Sequence, residues 1–162
     1  MTQPCPPVRY RRASAADLEA IIELWSGMMA EHSREDPRIR LTAEAPAAYR
    51  AYAASHIDQE DSMLEVAEAD GRIVGFMLLM ISRNLPVFRP SLYGYLSDLA
   101  VAPRWRRRGI GRDLVRRGAE WLRRRDIHTI QLQYYEFNRR AGSFWRALGF
   151  RPYYTRMWLD LE

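Results

Sequence analysis

Apolar positions recur at helical spacing in the stretch that follows residue 14. They are occupied by Leu18, Ile21, Ile22, Trp25, Met28 and Met29, the pattern expected of a helix with one buried face. Ser14 and Asp17 have the form of a capping box, in which Ser14 accepts from free amides and Asp17 meets the positive end of the helix dipole. The pattern therefore predicts a first helix from about residue 17. A second helix is predicted over 42–57, with Thr42 as its N-cap.

Short apolar runs predict strands before the first helix and in the middle of the chain. Residues 63–69 and 72–81 are strand-like and are joined by Asp70-Gly71, which is a strong signal for a hairpin turn. A third run over 92–101 follows a loop that contains two prolines. Apolar and polar side chains alternate loosely over residues 8–13, which are predicted to form a short first strand.

The last third of the chain combines two helices with two strands. A helix is predicted over 109–125, with an apolar stripe and arginines elsewhere on its surface. A strand over 129–135 follows, then a helix from the N-cap Asn138 to residue 147, and a final strand over 152–161. The order β-α-α-β-β-β-α-β-α-β predicts an α/β (α+β) fold with helices on both faces of a mixed sheet.

Length and composition narrow the class of protein. The 162 residues suit one domain over 1–162, with 1–7 expected to be a flexible tail. No apolar run is long enough to span a bilayer, and the first residues lack the features of a signal peptide. The single cysteine, Cys5, cannot form an internal disulfide and is a poor candidate for a nucleophile. We therefore expect a cytoplasmic setting.

Positive charge is concentrated in the C-terminal part of the chain. Residues 1–102 carry 10 Arg and 14 acidic residues, a net charge of −4, whereas residues 103–162 carry 15 Arg and 6 acidic residues, a net charge of +9. All 25 basic residues are arginine. A basic C-terminal part indicates an anionic ligand, which could be a nucleic acid, a membrane surface or a polyphosphate cofactor.

The segment over 99–111 has the features of an anion-binding loop. A strand ends, a short arginine-rich loop follows, and a helix begins at Gly109 and Gly111. The first amides of a helix have no partner within it and carry partial positive charge, and glycine lets an anion approach them closely. A P-loop is excluded because it needs a lysine. The dinucleotide-binding pattern is also excluded, since Leu114 stands where its third glycine belongs.

Two motifs resemble those of the GCN5-related N-acetyltransferase (GNAT) family. Arg106, Gly109 and Gly111 match its (Gln/Arg)-x-x-Gly-x-(Gly/Ala) loop, and the preceding Leu-Ala-Val-Ala-Pro resembles its fourth strand. A second signature is similar over Asn138, Ala141, Phe144, Gly149 and Phe150. The resemblance implies a mixed, mostly antiparallel sheet of six to seven strands flanked by four helices. It also implies acetyl-CoA as the co-substrate of an N-acetyltransferase.

The resemblance further implies which residues hold acetyl-CoA. Backbone groups of Leu99 and Val101 would pair with the pantetheine arm, and amides in the loop would hold the pyrophosphate. The implied set is Leu99, Ala100, Val101, Arg106, Arg107, Arg108, Gly109, Ile110, Gly111, Arg112, Asn138 and Phe144. For Arg107 and Arg108, a run of solvent-exposed charge explains the sequence as well as cofactor binding does. For Asn138, a role as helix N-cap alone explains it equally well.

Acetyl transfer to an amine needs a group that removes the amine's proton, because amines are mostly protonated at neutral pH. Asp98 is the first candidate for this general base and Glu136 the second. The family's usual general acid is a tyrosine, but Trp145 stands at that position and cannot act as an acid. Tyr134, Tyr135, Ser143 or water could replace it, or the thiolate could leave unaided. The catalytic set is therefore Asp98, Glu136 and Tyr135, with no metal site, since the three histidines are scattered.

The acceptor cleft should be formed by the first two helices, their connection over 31–41 and the loop over 84–92. Its acidic residues suit an amine of a small molecule, a peptide or a protein N-terminus. Competing hypotheses are a catalytically silent acyl-CoA sensor, an enzyme for another acyl donor, and an Arg-rich module for nucleic acid, for which no recognition motif is visible. We expect no nucleic-acid or membrane partner. A homodimer is possible through Tyr153, Tyr154 and Trp158.

Overall fold

The computed structural model describes residues 6–161, so that Cys5 and most of the tail over 1–7 lie outside the described residues. Two single turns of 3-10 helix, Ala15–Asp17 and Pro103–Trp105, accompany the main elements. In chain order these are β1 (Arg9–Arg12), α1 (Leu18–Glu35), α2 (Ala45–Ala54), β2 (Ser62–Ala69), β3 (Arg72–Arg83), β4 (Leu92–Val101), α3 (Ile110–Arg123), β5 (Ile130–Leu132) and α4 (Arg139–Ala147). No helix within this range is both long and apolar enough to cross a bilayer.

The five strands form one sheet in the order β1-β2-β3-β4-β5. The first four are antiparallel to their neighbours, and β5 runs parallel to β4. The hairpin predicted at Asp70-Gly71 is confirmed. Both residues have positive φ, 51° and 69°, as a two-residue type I′ turn requires. The fold class predicted from the sequence, a mixed and mostly antiparallel sheet with four helices, is also confirmed.

Alternating side chains of β3 divide the interior into two cores. Phe76 and Leu78 face α1 and α2, whereas Met77 and Leu79 face α3. All four are fully buried, so each contributes on the order of 1.5–3 kcal/mol to folding. The sheet is therefore covered on both faces, and its remaining solvent contact is at its edges and at one end.

The predicted final strand over 152–161 is wrong. These residues are exposed and belong to no strand, and they make no backbone–backbone hydrogen bond within the described part of the chain. The sheet consequently has five strands and not six to seven. The strand predicted over 129–135 is likewise only Ile130–Leu132, because β4 pairs with it over three residues and no strand within residues 6–161 covers its other edge. Apolar alternation shows that a segment can pair, but pairing also needs an edge within reach.

Contacts at the helix N-termini explain where α1 and α2 begin. The capping box at α1 is confirmed: the Ser14 amide and hydroxyl donate to the Asp17 carboxylate at 2.8 and 2.9 Å. Arg11 adds a bidentate pair to the same carboxylate, and these contacts lower the pKa of Asp17 to about 2. The second helix is shorter than predicted. It begins after Glu44 and not after Thr42, because Pro46 favours the first turn of a helix.

A buried ion pair joins the sheet to α3. Glu65 of β2 is 1% exposed, and one of its carboxylate oxygens accepts from Arg117 Nε at 2.5 Å. The other oxygen is buried without a hydrogen-bond partner. Burial raises the pKa of Glu65, although Arg117 opposes this shift. Arg117 therefore offsets part of the free-energy cost of burying this carboxylate.

Arg117→Met is expected to lower the free energy of unfolding by about 2–4 kcal/mol at neutral pH, because it leaves an unpaired buried carboxylate. The loss should shrink as the pH falls toward the ordinary glutamate pKa of about 4.3, since Glu65 can then be buried in its neutral form. Urea unfolding at neutral and mildly acidic pH measures both effects. Arg116→Met is the matched control, because Arg116 is exposed on the same helix. Its replacement should change the free energy of unfolding by less than about 0.5 kcal/mol. Equal losses in the two variants would contradict this role for Glu65.

Candidate active site

A β-bulge at Ser97 changes the direction in which the backbone of β4 presents its polar groups. Asp98 lies opposite Leu78 of β3 and Leu96 lies opposite Leu79, so Ser97 is an extra residue. Before the bulge, the Gly94 amide donates to Thr129 on the β5 side. After the bulge, eight residues on, the Ala102 amide donates to Val74 on the β3 side. The bulge has therefore reversed the alternation.

As a result, the main-chain groups of Leu99 and Val101 face away from β3, toward the side on which β5 lies. That side is open, because β4 and β5 are paired only from Gly94 and Ile130 to Leu96 and Leu132. Beyond Leu96 the two strands part and leave a slot. The slot belongs to a cleft of about 4350 Å³, which is lined by residues 96–107 on one side and 129–148 on the other.

The predicted anion-binding loop lies at the mouth of this slot. Helix α3 begins after Gly109, whose φ of 84° favours glycine, and Asp113 makes the first helical hydrogen bond, to the Gly109 carbonyl at 2.9 Å. The amides of Ile110, Gly111 and Arg112 therefore have no acceptor within the helix. Gly111 also lies against Phe144 of α4, where an added Cβ would come 3.2 Å from Phe144 Cζ. The helix N-terminus can accordingly bind an anionic group such as a diphosphate.

Arg106 does not extend into solvent but connects the loop to its surroundings. Its Nε donates to the Val101 carbonyl at 2.9 Å, and its Nη2 donates to Glu31 of α1 at 2.7 Å. Arg140 of α4 donates to the second Glu31 oxygen at 2.6 Å. Partial burial opposes the charge on Glu31, but the two arginines outweigh it and lower its pKa. Glu31 thus ties α1 to both sides of the slot.

Asn138 is the N-cap of α4, as predicted, because its Oδ1 accepts from the Ala141 amide at 3.0 Å. Its Nδ2 lies 3.2 Å from His32 Nε2 of α1. Burial lowers the pKa of His32. A neutral ring with its proton on Nδ1 is the form that can accept from this amide through Nε2. The His32 ring also meets the edge of Tyr135, with 5.1 Å between ring centroids. This contact places Tyr135 at the wall of the cleft, opposite β4.

Asp98 lies on the sheet face that α1 and α2 cover, beside the open edge of β4. Burial raises the pKa of Asp98, while contacts from Ser97 and Tyr49 partly offset that rise. Ser97 Oγ donates to its carboxylate at 2.6 Å. The Tyr49 hydroxyl is buried close to Asp98, without the geometry of a full hydrogen bond. Tyr49 is held by stacking on Trp25, with 4.2 Å between ring centroids. The result is a carboxylate with increased proton affinity at the slot.

The structure brings nearly all of the sequence-predicted site residues to one cleft. Arg108 is the exception: its guanidinium lies over the Trp105 ring, 4.9 Å from the centroid. Glu136 is exposed on the far wall. The residues that line the cleft are Asp98, Leu99, Ala100, Val101, Arg106, Arg107, Gly109, Ile110, Gly111, Arg112, Tyr135, Glu136, Asn138 and Phe144. Trp145 is 8% exposed and packs between Phe144 and Phe150, so it belongs to the core.

Sequence reasoning missed the polar residues that support this site. His32 was considered only as a metal ligand and set aside because the three histidines are scattered, and Tyr49 and Ser97 were given no role with Asp98. His32, Tyr49 and Ser97 lie on three different elements, and only the packing of α1 and α2 on the sheet brings them to the site. Glu31 belongs to the segment over 31–41 that was assigned to the acceptor side, but its two arginine partners are 75 and 109 residues away.

Comparison with known proteins identifies this arrangement. The model of the acetyltransferase (GNAT) family matches residues 23–150. This chain belongs to the GNAT acetyltransferase family. Among curated protein sequences, none matches it closely enough to count as a relative.

Solved structures agree with the family at the level of the fold. A tetramutant of the BH1408 protein from Bacillus halodurans has a TM-score of 0.85 and 25% identity, over 94% of this chain and 99% of that one. A predicted acetyltransferase from Clostridium acetobutylicum, solved with acetyl-CoA, has a TM-score of 0.75 and 18% identity, over 96% of each chain. The aminoglycoside 6′-N-acetyltransferase AAC(6′)-Ih from Acinetobacter baumannii has a TM-score of 0.75 and 16% identity, over 96% and 99%.

GNAT acetyltransferases use acetyl-CoA, and the cleft fits such a molecule. The open edge of β4 offers main-chain groups at Leu99 and Val101 to an extended arm that contains amides. The first amides of α3 offer donors to a diphosphate, with Arg107 and Arg112 beside them. A ligand that is long, amide-bearing and anionic at one end therefore finds its complement along one continuous path.

Gly109→Asp is expected to abolish the rise in melting temperature that acetyl-CoA gives the wild type. Ligand at a hundredfold excess over its dissociation constant should stabilise the wild type by about 2.7 kcal/mol, whereas a carboxylate at residue 109 repels the diphosphate. Gly109→Asn is the matched control, because asparagine has the same shape, no charge, and tolerates positive φ. Its thermal shift should stay close to that of the wild type. A full shift in the aspartate variant would remove the loop as the binding site.

Proposed function

We propose that this protein is an N-acetyltransferase that passes the acetyl group of acetyl-CoA to a primary amine of a small molecule or a peptide or protein N-terminus. The observation that carries the proposal is the position of Asp98: a carboxylate of raised pKa one residue after the bulge, at the start of the open β4 edge. Acetyl-CoA supplies an activated thioester. The chain has to hold that thioester, accept a proton from the amine and exclude other nucleophiles.

Main-chain groups of β4 serve to position the thioester. The backbone of Leu99 and Val101 faces the slot, and its amides are fixed by the sheet and need no rearrangement. Donors fixed in advance in this way stabilise negative charge that develops on a carbonyl oxygen, typically by about 3 kcal/mol for one donor. The free amides of Ile110, Gly111 and Arg112 would hold the diphosphate at the other end. The two ends together fix where the reactive carbon lies.

Asp98 is the proposed general base. A primary amine is mostly protonated at pH 7, since its ordinary pKa is about 10.4 in lysine. A carboxylate accepts that proton more readily as its own pKa rises toward the working pH, and burial raises the pKa of Asp98. Glu136 is a weaker candidate, because it is exposed on the opposite wall.

The departing thiolate has either to receive a proton or to leave unaided. Trp145 replaces the family's tyrosine and is packed in the core, so it contributes no proton. Tyr135 is 43% exposed at the wall of the slot and is the proton donor that we propose. The demand on it is modest, because thiols ionise near pH 8.5 and the thiolate is a tolerable leaving group.

The net positive charge of the cleft restricts the kind of amine that can serve as the acceptor. Fourteen arginines but only seven acidic residues line it, and several of those acids are already paired. Glu31 is bound by Arg106 and Arg140, and Asp36 is bound by Arg38 at 2.6 Å. An acceptor with several positive charges would therefore be repelled, whereas a single amine with neutral or anionic groups nearby would not. This favours amino-acid or peptide amines over polyamines and aminoglycosides.

A thiol-release assay with acetyl-CoA and a panel of amines tests the charge argument. We expect kcat/KM for peptide N-termini and amino-acid amides to exceed that for spermidine and aminoglycosides by at least tenfold at low salt. The difference should narrow as ionic strength rises, because salt screens the arginines. A preference for polycations would contradict the proposed acceptor class. Binding of acetyl-CoA without thiol release from any amine would instead favour an acyl-CoA sensor.

Asp98→Asn is expected to lower kcat at neutral pH by about 10²–10⁴-fold, the usual contribution of a general base, while acetyl-CoA affinity stays unchanged. The defect should be largest where Asp98 would be ionised and the amine still protonated. It should shrink as the pH approaches the pKa of the amine, because free amine then forms without a base. A pH–rate profile measures this, with Glu136→Gln as the control. A wild-type profile in the Asp98 variant would remove Asp98 as the base.

A further inference from the structure

The loop between β3 and β4 exposes three apolar side chains. Leu85, Val87 and Phe88 are 67%, 82% and 56% exposed, and they lie within four consecutive positions of the chain. Apolar residues scattered singly over a surface are ordinary, whereas a group of them marks a site of interaction. The chemistry proposed for acetyl transfer makes no use of these residues. The loop is therefore a candidate contact surface.

Hydrogen bonds within the loop fix its backbone. The Asn84 amide donates to the Ser91 carbonyl at 2.9 Å, and Asn84 Nδ2 donates to the Pro90 carbonyl at 2.7 Å. The Phe88 amide donates to the Leu85 carbonyl at 2.9 Å. Two prolines restrict the φ angles further. A partner would therefore contact the apolar side chains without having to order the loop, which lowers the entropic cost of binding.

The loop lies at the rim of the cleft that contains Asp98. Phe88, Arg89 and Pro90 line this cleft, as Asp98 does. The path of acetyl-CoA runs from Asp98 in the opposite direction, along the second half of β4 to the first amides of α3. The loop precedes β4 and is therefore on the acceptor side of the proposed base.

The length of β4 determines how far the loop is from that base. The strand begins at Leu92, directly after the loop, and reaches Asp98 six residues later. At the rise of a β-strand this separation is about 20 Å. An extended peptide has nearly the same rise, so a peptide with its N-terminal amine at Asp98 would bring roughly its sixth residue to the loop. A single amino acid is too short to make this contact.

The charge around the loop is positive. Arg83 and Arg89 flank the three apolar side chains, and both arginines are exposed. Arg40, from the connection between α1 and α2, lines the same cleft, and residues 82–92 include no acidic residue. An acceptor with acidic side chains next to its apolar residues would be attracted here, whereas a basic one would be repelled.

We propose that this loop is the docking surface for the extended N-terminal segment of a peptide or protein acceptor. The amine would reach Asp98 while apolar residues about six positions along the acceptor contact Leu85, Val87 and Phe88. The inference rests on the proposed function and narrows the acceptor to peptide and protein N-termini. A lipid surface or a second copy seated on the loop would also cover Phe88 and Arg89 at the rim and obstruct the entry of an acceptor. A peptide that enters the cleft uses the loop without closing it.

An octapeptide with apolar residues at its fifth to seventh positions tests the docking surface. It is compared with the same peptide carrying serines there and with its N-terminal dipeptide amide. Its kcat/KM should exceed that of both by at least about tenfold, through KM and not kcat. A factor of ten corresponds to about 1.4 kcal/mol, which is less than full burial of one large apolar side chain provides.

The double variant Val87→Ser, Phe88→Ser should reduce this advantage of the apolar octapeptide to less than about twofold. Leu159→Ser is the matched control, because Leu159 is 81% exposed and lies outside the cleft; it should keep the full advantage. Circular dichroism should show that both variants are folded, since each altered side chain is exposed. An unchanged advantage in the double variant would overturn the proposal.

Arg89→Glu tests the charge of the loop separately. In the wild type, an octapeptide with two aspartates beside its apolar residues should have a higher kcat/KM than one with two arginines at those positions. The variant should reverse that order, and the difference should narrow as ionic strength rises, because salt screens exposed charges. The same order of the two peptides in both proteins would contradict the proposed contact with Arg89.

Binding of the octapeptide, labelled at its C-terminus and measured by fluorescence anisotropy with CoA present, separates this inference from the proposed function. Thiol release with equal kcat/KM for long and short acceptors would overturn the docking surface and leave the transferase function intact. Peptide binding that depends on Val87 and Phe88, without thiol release from any amine, would support the docking surface and contradict the transferase function. Loop-dependent binding to phosphatidylserine vesicles, or a dimer that the double variant dissociates, would assign the loop to a membrane or a second copy and overturn the proposal.

Discussion

One extra residue in β4 sets the geometry on which the site depends. Without the bulge at Ser97, the backbone of Leu99 and Val101 would bond to β3 and be consumed by the sheet. With it, these groups face the slot, and Asp98 is placed on the face covered by α1 and α2. The bulge thus separates two tasks of one strand. Its main chain is available to a co-substrate on one side, and its carboxylate is available to an acceptor on the other.

The polar network around the slot fixes these parts before any ligand arrives. Glu31 holds Arg106 on the β4 side and Arg140 on the α4 side, while His32 contacts Asn138 at the start of α4. A backbone carbonyl has two lone pairs, so Arg106 can bond to Val101 and still leave one acceptor site toward the slot. Sites that are rigid in advance avoid the entropic cost of ordering when the ligand binds. The arginine of the family loop is therefore structural as well as electrostatic.

The features that were predicted correctly from the sequence depend on residues that are close together along the chain. The turn at Asp70-Gly71, the start of α4 at Asn138 and the bounds of β4 all follow from residues within a few positions. The bulge at Ser97 leaves no such signal, because it depends on the register against β3. The buried Glu65–Arg117 pair and the Tyr49–Asp98 contact likewise join residues about 50 positions apart. The final segment alternates like a strand, but within the described residues it has no backbone pairing, and alternation alone does not reveal that.

The sheet is incompletely paired on both sides of the short strand β5. Because it pairs with β4 over only three residues, an open slot remains on its inner side beyond Leu132. Because no strand of the described part of the chain covers it, an open edge remains on its outer side. Three residues of pairing with β4 therefore fix the position of β5, and that position sets the width of the slot.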